Sequence, residues 1–323
     1  MRVQRVYLRD ATVGDNMEGW VIDRIVEGAG FEPVYGHDPM EPVVVFGGGG
    51  MFYDRSHENH WLEKRWIKTV AEADRVAAFS IGVQTPVDPK YYGKILSKCD
   101  ITTVRDHVSM GRIIGMVGGE IYVSPPLGFL YPFDEHASDK RDIDVGVVIN
   151  CQQLSRSSPR DLKKKWMQRQ VLKHLPEDAV IIPCAEKYEE YDRWNVKGLE
   201  ILHNPDMKPE IFVQQVSRCR VIICGRYHAL ITALMTGTPA IVLGKNVYEA
   251  QGKLEVLALT AGVKHVYDVP TFVVNMDEII ESIMADWENV SSYMAKVGRI
   301  MRRQAMAHAA MVQRWLKSCR KTR

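Results

Sequence analysis

A chain of 323 residues is long enough for two domains, and 46% hydrophobic with 25% charged residues is the composition of a soluble globular protein. Its 42 Lys and Arg against 40 Asp and Glu leave a formal charge of +2, which excludes a globally basic nucleic-acid binder and an acidic disordered chain. No apolar run reaches a membrane span, the MRVQRVYLRD start lacks a signal-peptide core, and the six cysteines have neither CxxC nor zinc-finger spacing, so free thiols and a cytoplasmic location are expected.

In chain order, Val3 to Leu8 predicts a strand. Gly14-Asp15-Asn16 then precede a helical pattern of Trp20, Val21, Ile22, Ile25 and Val26 that Gly28 and Gly30 end, with Asp15 or Asn16 as N-cap or ligand contact. Pro42 to Phe46 is a β-branched run followed at once by Gly47-Gly48-Gly49-Gly50. Four glycines after a strand permit either close approach of backbone N–H groups to a ligand or tight packing of a helix on the sheet. The stretch is neither a Walker loop nor a GxGxxG fingerprint. A helix over Leu62 to Ala73, a strand over Val76 to Ile81, a helix over Tyr91 to Cys99 and a strand over Ile101 to Val104 follow. Arg105 and Asp106 stand at the carboxyl end of that last strand, as a local ion pair or cap, or with Arg105 as a cation for an anionic substrate.

From Pro125 to Arg141 the period is lost, which marks an interdomain linker. Strands are then predicted over Val145 to Asn150, Ala179 to Pro183 and Leu199 to Leu202, with helices over Pro159 to Leu175 and Pro209 to Arg218 and an acidic-aromatic loop around Glu186 to Trp194. The apolar run Val221 to Cys224 reads as a buried parallel strand, and a helix follows it that Gly237 ends. Arg226 and His228 therefore sit where a strand's carboxyl end meets a helix N-terminus, a place that suits an anion and equally a structural cap. Ala240 to Leu243 is the next strand, Leu254 to Ala261 a helix and Val266 to Val269 an edge strand. Two helices or one bent helix run from Met276 to the end, with Met294, Met301, Met306 and Met311 as an apolar stripe. Arg299, Arg302, Arg303, Arg314, Lys317, Arg320, Lys321 and Arg323 form a basic cluster there, either a solvated face or a contact for phosphates or anionic lipid. His57, His60 and His107 do not have metal-site spacing, and Asp142-Ile143-Asp144 reads as a solvated charge run. Repeated βα units in both halves predict two doubly wound α/β domains.

Four blocks in order, FGGGGMFYD (Phe46 to Asp54), SIGVQTP (Ser80 to Pro86), TVRDHVS (Thr103 to Ser109) and GRYHALITALMTGTPAIVLGKNVYEAQGK (Gly225 to Lys253), resemble the polysaccharide pyruvyltransferase family. The resemblance implies two Rossmann-like domains facing across a cleft, as in GT-B glycosyltransferases, with C-terminal helices. It implies an N-terminal domain over 1–135 on the acceptor side, a C-terminal domain over 136–290 on the donor side, and a helix and basic tail over 291–323 packing back on the first domain. PPLGFLYPFDE and VGVVINCQQL depart from the family's pattern.

The implied reaction moves a pyruvyl group from phosphoenolpyruvate to two sugar hydroxyls as a ketal. His228 is the implied general acid, because histidine changes charge near neutral pH, and Arg226 and Arg105 are the implied anion clamps. Lys253 is implied as a phosphate or carboxylate contact, Asp54 and Asp106 as orienting groups, and Gly47, Gly48, Gly49, Gly50 and Ser109 as further substrate or donor contacts. The expected partners are an anionic small-molecule donor and a glycan acceptor, with neither cofactor nor metal. The rival readings are a metal-independent glycosyltransferase using a nucleotide sugar on a glycan or a modified nucleic acid, and a non-catalytic ligand-binding protein.

Overall fold

In a computed structural model the β-branched runs become the middles of two parallel sheets, each of six strands. The structure describes residues 1–6, 12–36, 38, 40–48, 61–83, 86–149, 159–184, 197–244 and 252–320, the side chains of 61, 62 and 159–165 excepted. Gly49, Gly50, Asp54, His57, His60, Cys151, Trp194 and most of the acidic-aromatic loop lie outside the described residues. The chain divides into two units.

The first unit comprises Met1–Arg9, Met17–Tyr131 and Met301–Arg323. Strands β1 (Arg2–Val6), β2 (Glu32–Tyr35), β3 (Val43–Gly47), β4 (Arg75–Ile81), β5 (Ile101–Val104) and β6 (Glu120–Val123) pair in parallel in the order β2-β1-β3-β4-β5-β6. The run Val43-Val44-Val45-Phe46 is wholly buried, as a central strand with helices on both faces must be. The helices are α1 (Val13–Gly28), shared between the units, α2 (Trp61–Glu72), α3 (Pro89–Leu96) and α4 (His107–Ile113). Phe46 meets Trp66 edge to face at 5.9 Å in a core that includes Val70, Tyr92 and Ile95. Successive connections run opposite ways from β1 and β3, so the switch point of this sheet lies between those strands.

Two strands escape the periodicity reading for a physical reason. β2, with sequence EPVY, is an edge strand that exposes both ends and contains Pro33, and proline is tolerated at a sheet edge because no ladder donor is needed there. β6 is the opposite edge, and its alternating exposed and half-buried residues give it no apolar run. The start of α1 also corrects the expected cap. Thr12, rather than Asp15 or Asn16, caps the helix: its Oγ1 accepts from Asp15 N at 3.1 Å and donates to Asp15 Oδ2 at 2.8 Å.

The second unit comprises Asp10–Asn16 and Pro132–Ile300. In chain order it holds α5 (Phe133–His136), β7 (Ile143–Val148), α6 (Pro159–His174), β8 (Val180–Ile181), β9 (Glu200–Ile201), α7 (Pro209–Ser217), β10 (Cys219–Cys224), α8 (Tyr227–Thr236) and β11 (Ala240–Gly244). α9 (Lys253–Thr260), β12 (Val266–Asp268), α10 (Val269–Val274), α11 (Met276–Ala285) and α12 (Trp287–Cys319) complete the chain. The strand order β12-β11-β10-β7-β8-β9 is that of a doubly wound nucleotide-binding sheet, with its switch point between β7 and β10. Gly237, at φ +67°, ends α8 in the left-handed conformation that favours glycine.

The stretch expected as a linker holds the boundary between the units, after Tyr131, and it is packed. Leu127, Phe129, Tyr131 and Phe133 are buried, so the apolar residues of PPLGFLYPFDE explain its lack of period by irregular packing rather than by solvation. Arg141, at its end, donates to Thr236 O at 2.6 Å, Thr238 Oγ1 at 2.7 Å and Cys219 O at 3.1 Å, and also to Ser217 O. One guanidinium thereby ties together the ends of α7 and α8 and the start of β10.

α12 contributes Trp287–Ile300 to the second unit and the remainder to the first. The expected methionine stripe is corrected: Met294 and Met301 are buried, but Met306 is 59% exposed, because five residues of helix carry it to the opposite face from Met301. Gly298 lies against the backbone of α8, where an added Cβ would collide with Leu234 O. Gly298→Ala gains about 1 kcal/mol of helix propensity but forces two helix backbones apart, at about 1–3 kcal/mol or more. A net loss of stability is expected in urea unfolding; an unchanged or raised midpoint would show that α12 does not approach α8 this closely.

In the first unit α12 is pinned by a buried histidine. His308 Nε2 lies 2.7 Å from Thr103 Oγ1, which also accepts from Ser80 N at 2.8 Å. Burial pushes the His308 pKa down to about 4, against partial compensation from Pro125 O and Glu18. Because the folded value lies below the ordinary 6.5, the unfolded chain takes up the proton first, and stability is lost as pH falls from about 6.5 to about 4. The loss attributable to this group is about 3 kcal/mol. His308→Gln should flatten the stability–pH curve in that window relative to wild type; equal slopes would refute a buried neutral imidazole.

Candidate active site

At the switch point of the second sheet, Gly225 N donates to Val148 O at 2.7 Å, and the chain turns directly into α8. Arg226 occupies the N-cap position in extended backbone, and its side chain does not cap the helix. Tyr227 and His228 form the first turn. The Tyr227 ring is 3% exposed and stands edge-on to the His228 ring, with centroids 5.4 Å apart and an interplanar angle of 86°. On its other side the Lys253 Nζ lies 6.0 Å from the Tyr227 centroid. Lys253 is itself the first residue of α9, after Gly252 at the N-cap.

A third helix start meets the same pair. The His228 ring lies against Gly14 in the first turn of α1, so closely that a Cβ on Gly14 would overlap the imidazole. Val13 N donates to Cys184 O at 2.9 Å, holding this turn in the second unit. The first turn of α1 therefore borders His228 in the first turn of α8, and Lys253, from the first turn of α9, reaches Tyr227 with its ammonium group. Arg226, His228 and Lys253 add three basic side chains. Such an arrangement favours a ligand with more than one anionic group.

Tyr227, Gly14 and Glu255 are absent from the residues expected from the sequence. A glycine inside the first turn of a helix costs stability, which is the signal that something must approach Gly14 closely. Glu255, 6% exposed, packs on Gly244 and reaches back to the Gly252 N-cap from three residues on, the Glu half of a capping box. Tyr227 had no signal beyond its place between Arg226 and His228.

Of the other expected residues, Gly47, Gly48 and Arg105 with Asp106 stand at the carboxyl ends of strands β3 and β5 of the first sheet. Gly47 closely approaches Phe79 O, where a Cβ would not fit, and Gly48 has φ +94°, in the left-handed region that favours glycine. The Arg105 guanidinium lies over Gly82, where no Cβ could fit, and its Nε is 3.5 Å from Asp106 Oδ2, with the Arg105 side chain 1% exposed. Asp106 caps α4 by accepting from Ser109 N at 2.6 Å, and Ser109 Oγ accepts from Val83 N at 3.0 Å. Asp106 and Ser109 thus close the turn that carries Arg105. Ser80, at φ +54°, accepts from Leu127 N at 3.0 Å on the neighbouring strand end.

Burial pushes the Cys99 and Cys219 thiols up to about 12 and Cys224 higher still, so none of these three supplies a thiolate near neutral pH. Among the described residues, no group of three or more His, Cys, Asp and Glu is arranged to hold a metal ion, and no helix is long and apolar enough to cross a membrane.

Residues 7–246 match the family model described as polysaccharide pyruvyl transferase. The chain belongs to that family. This polysaccharide pyruvyl transferase family member is accordingly a polysaccharide-modifying transferase. No curated protein sequence matches it. Among solved structures it is similar to a putative UDP-N-acetylglucosamine 2-epimerase from Listeria monocytogenes, with 10% identity and a TM-score of 0.58 over 99% of this chain and 96% of that one. A spinosyn forosaminyltransferase gives 10% identity and a TM-score of 0.55 over 98% of this chain and 99% of that one. A further UDP-N-acetylglucosamine 2-epimerase gives 9% identity and a TM-score of 0.54 over 95% and 94%. At these identities the likeness is one of fold, which is GT-B-like.

Proposed function

We propose that this transferase moves a pyruvyl group from phosphoenolpyruvate to two hydroxyls of a sugar within a glycan, closing a cyclic ketal and releasing inorganic phosphate. The observation that carries the reading is the junction of β10 and α8, where Arg226 at the N-cap and His228 in the first turn stand beside the first turn of α1, with the Lys253 ammonium over Tyr227. Phosphoenolpyruvate presents a phosphate and a carboxylate on adjacent carbons, and this cluster supplies donors for both.

In the reaction His228 protonates C3 of the enol, and C2 becomes oxocarbenium-like. The first sugar hydroxyl attacks C2 and loses its proton. The second hydroxyl then displaces phosphate at the same carbon and gives its proton to the departing phosphate, while the first hydroxyl's proton replaces the one delivered to C3, so that one donor and one diol give one ketal and one phosphate. Arg226 and Lys253 hold the donor's anionic groups through both steps.

The test is to incubate the protein with phosphoenolpyruvate and a panel of oligosaccharides, following phosphate release together with the ketal methyl signal by NMR. Both signals appearing with one acceptor support the reading. Sugar transfer from a nucleotide sugar, with phosphoenolpyruvate left intact, would overturn it in favour of glycosyl transfer.

A further inference from the structure

The last 35 residues, 289–323, contain nine of the chain's 42 Lys and Arg and none of its 40 Asp and Glu. The remaining 33 basic residues are outnumbered by those 40 acidic ones, so a net charge near zero conceals a strongly basic end on an acidic body.

The structure arranges this charge. One face of α12 is buried through Met301, Ala305, His308, Val312, Leu316 and Cys319. On the opposite face Arg299, Arg303, Met306, Ala310, Arg314 and Lys317 recur at spacings of three and four and are all exposed. Lys296 precedes them on the same face. Arg299, Arg303, Arg314 and Lys317 make no ion pair among the described residues. The outward stripe spans about 27 Å from Arg299 to Lys317. Its centre is the 59% exposed Met306, and Ile300 on its flank is 38% exposed.

We infer that this face of α12 docks on an anionic lipid surface. A row of basic residues along one helix face meets a plane of headgroups with several charges at once, and each Lys or Arg near the surface adds to the attraction. The exposed Met306 and Ile300 favour lipid over a polyphosphate chain, because an apolar side chain gains from the headgroup–acyl boundary and gains nothing from phosphates. The inference is independent of the pyruvyl donor.

The test is co-sedimentation of the full chain with phosphatidylcholine vesicles, with and without phosphatidylglycerol, at low and high salt. Binding to the anionic vesicles alone is expected, falling at high salt. Arg303→Glu/Arg314→Glu/Lys317→Glu should weaken it at least tenfold, whereas the charge-matched Lys64→Glu/Lys94→Glu/Lys98→Glu should retain most of it, with thermal melts confirming that both fold. Met306→Gln should weaken vesicle binding without a change of charge. Absence of binding to anionic vesicles, or equal loss in both triple variants, overturns the assignment. Displacement from vesicles by duplex DNA, with Met306→Gln without effect, would also overturn it and pass the face to nucleic acid.

Discussion

His228→Ala is expected to lower kcat for phosphate release from phosphoenolpyruvate by about a hundred- to ten-thousandfold, the range for loss of a positioned general acid. Donor binding should change far less, because Arg226 and Lys253 remain to hold the anionic groups. Among the described residues the imidazole stands edge-on to the Tyr227 ring at 5.4 Å and lies against Gly14. Gly14→Ala offers a milder version of the same experiment, since a Cβ there moves the ring without removing it. A displacement of about 1 Å can cost about a hundredfold in rate. If His228→Ala instead raised KM with kcat unchanged, the imidazole would be a binding group and the proton would come from elsewhere.

The second large effect is on stability. Arg141→Ala removes hydrogen bonds to the carbonyls of Ser217, Cys219 and Thr236 and to Thr238 Oγ1. Hydrogen bonds to a charged group contribute about 1.5–3 kcal/mol each, but those sharing one donor are not additive and the half-buried site admits some water. The expected cost is about 3–5 kcal/mol by urea unfolding. Arg141→Lys should not restore it, because an ammonium cannot span acceptors that a planar fork reaches. A loss under about 1 kcal/mol would mean that water replaces the guanidinium.

Much of this architecture was legible from short apolar runs. The runs Val43 to Phe46 and Val221 to Cys224 are central strands because only a strand covered on both faces needs such a sequence, and Gly237 ends α8 where the periodicity stops. The edges were not legible. β2 carries a proline and β6 lacks an apolar run, since strands with one solvated side obey weaker rules.

The site divides in the same way. Arg226 and His228 were readable from a strand-to-helix junction, and Asp106 took the local capping role that its neighbours allowed. Gly14 against His228, Lys253 over Tyr227 and His308 against Thr103 are contacts across long separations that no local period encodes. The linker reading did locate the boundary between the units, after Tyr131, but loss of period gave no sign that Phe129 and Phe133 are fully buried.

Ligand-induced thermal stabilisation of the purified protein, with phosphoenolpyruvate compared with a panel of nucleotide sugars and repeated on Arg226→Ala, tests the central claim most directly. A ligand at a hundred times its Kd adds about 2.7 kcal/mol, enough to move the melting temperature by a few degrees. The prediction is a shift with phosphoenolpyruvate that is lost or strongly reduced in Arg226→Ala, with nucleotide sugars giving none. A shift with a nucleotide sugar and none with phosphoenolpyruvate would contradict the pyruvyl reading and make the basic cluster around Tyr227 a diphosphate site.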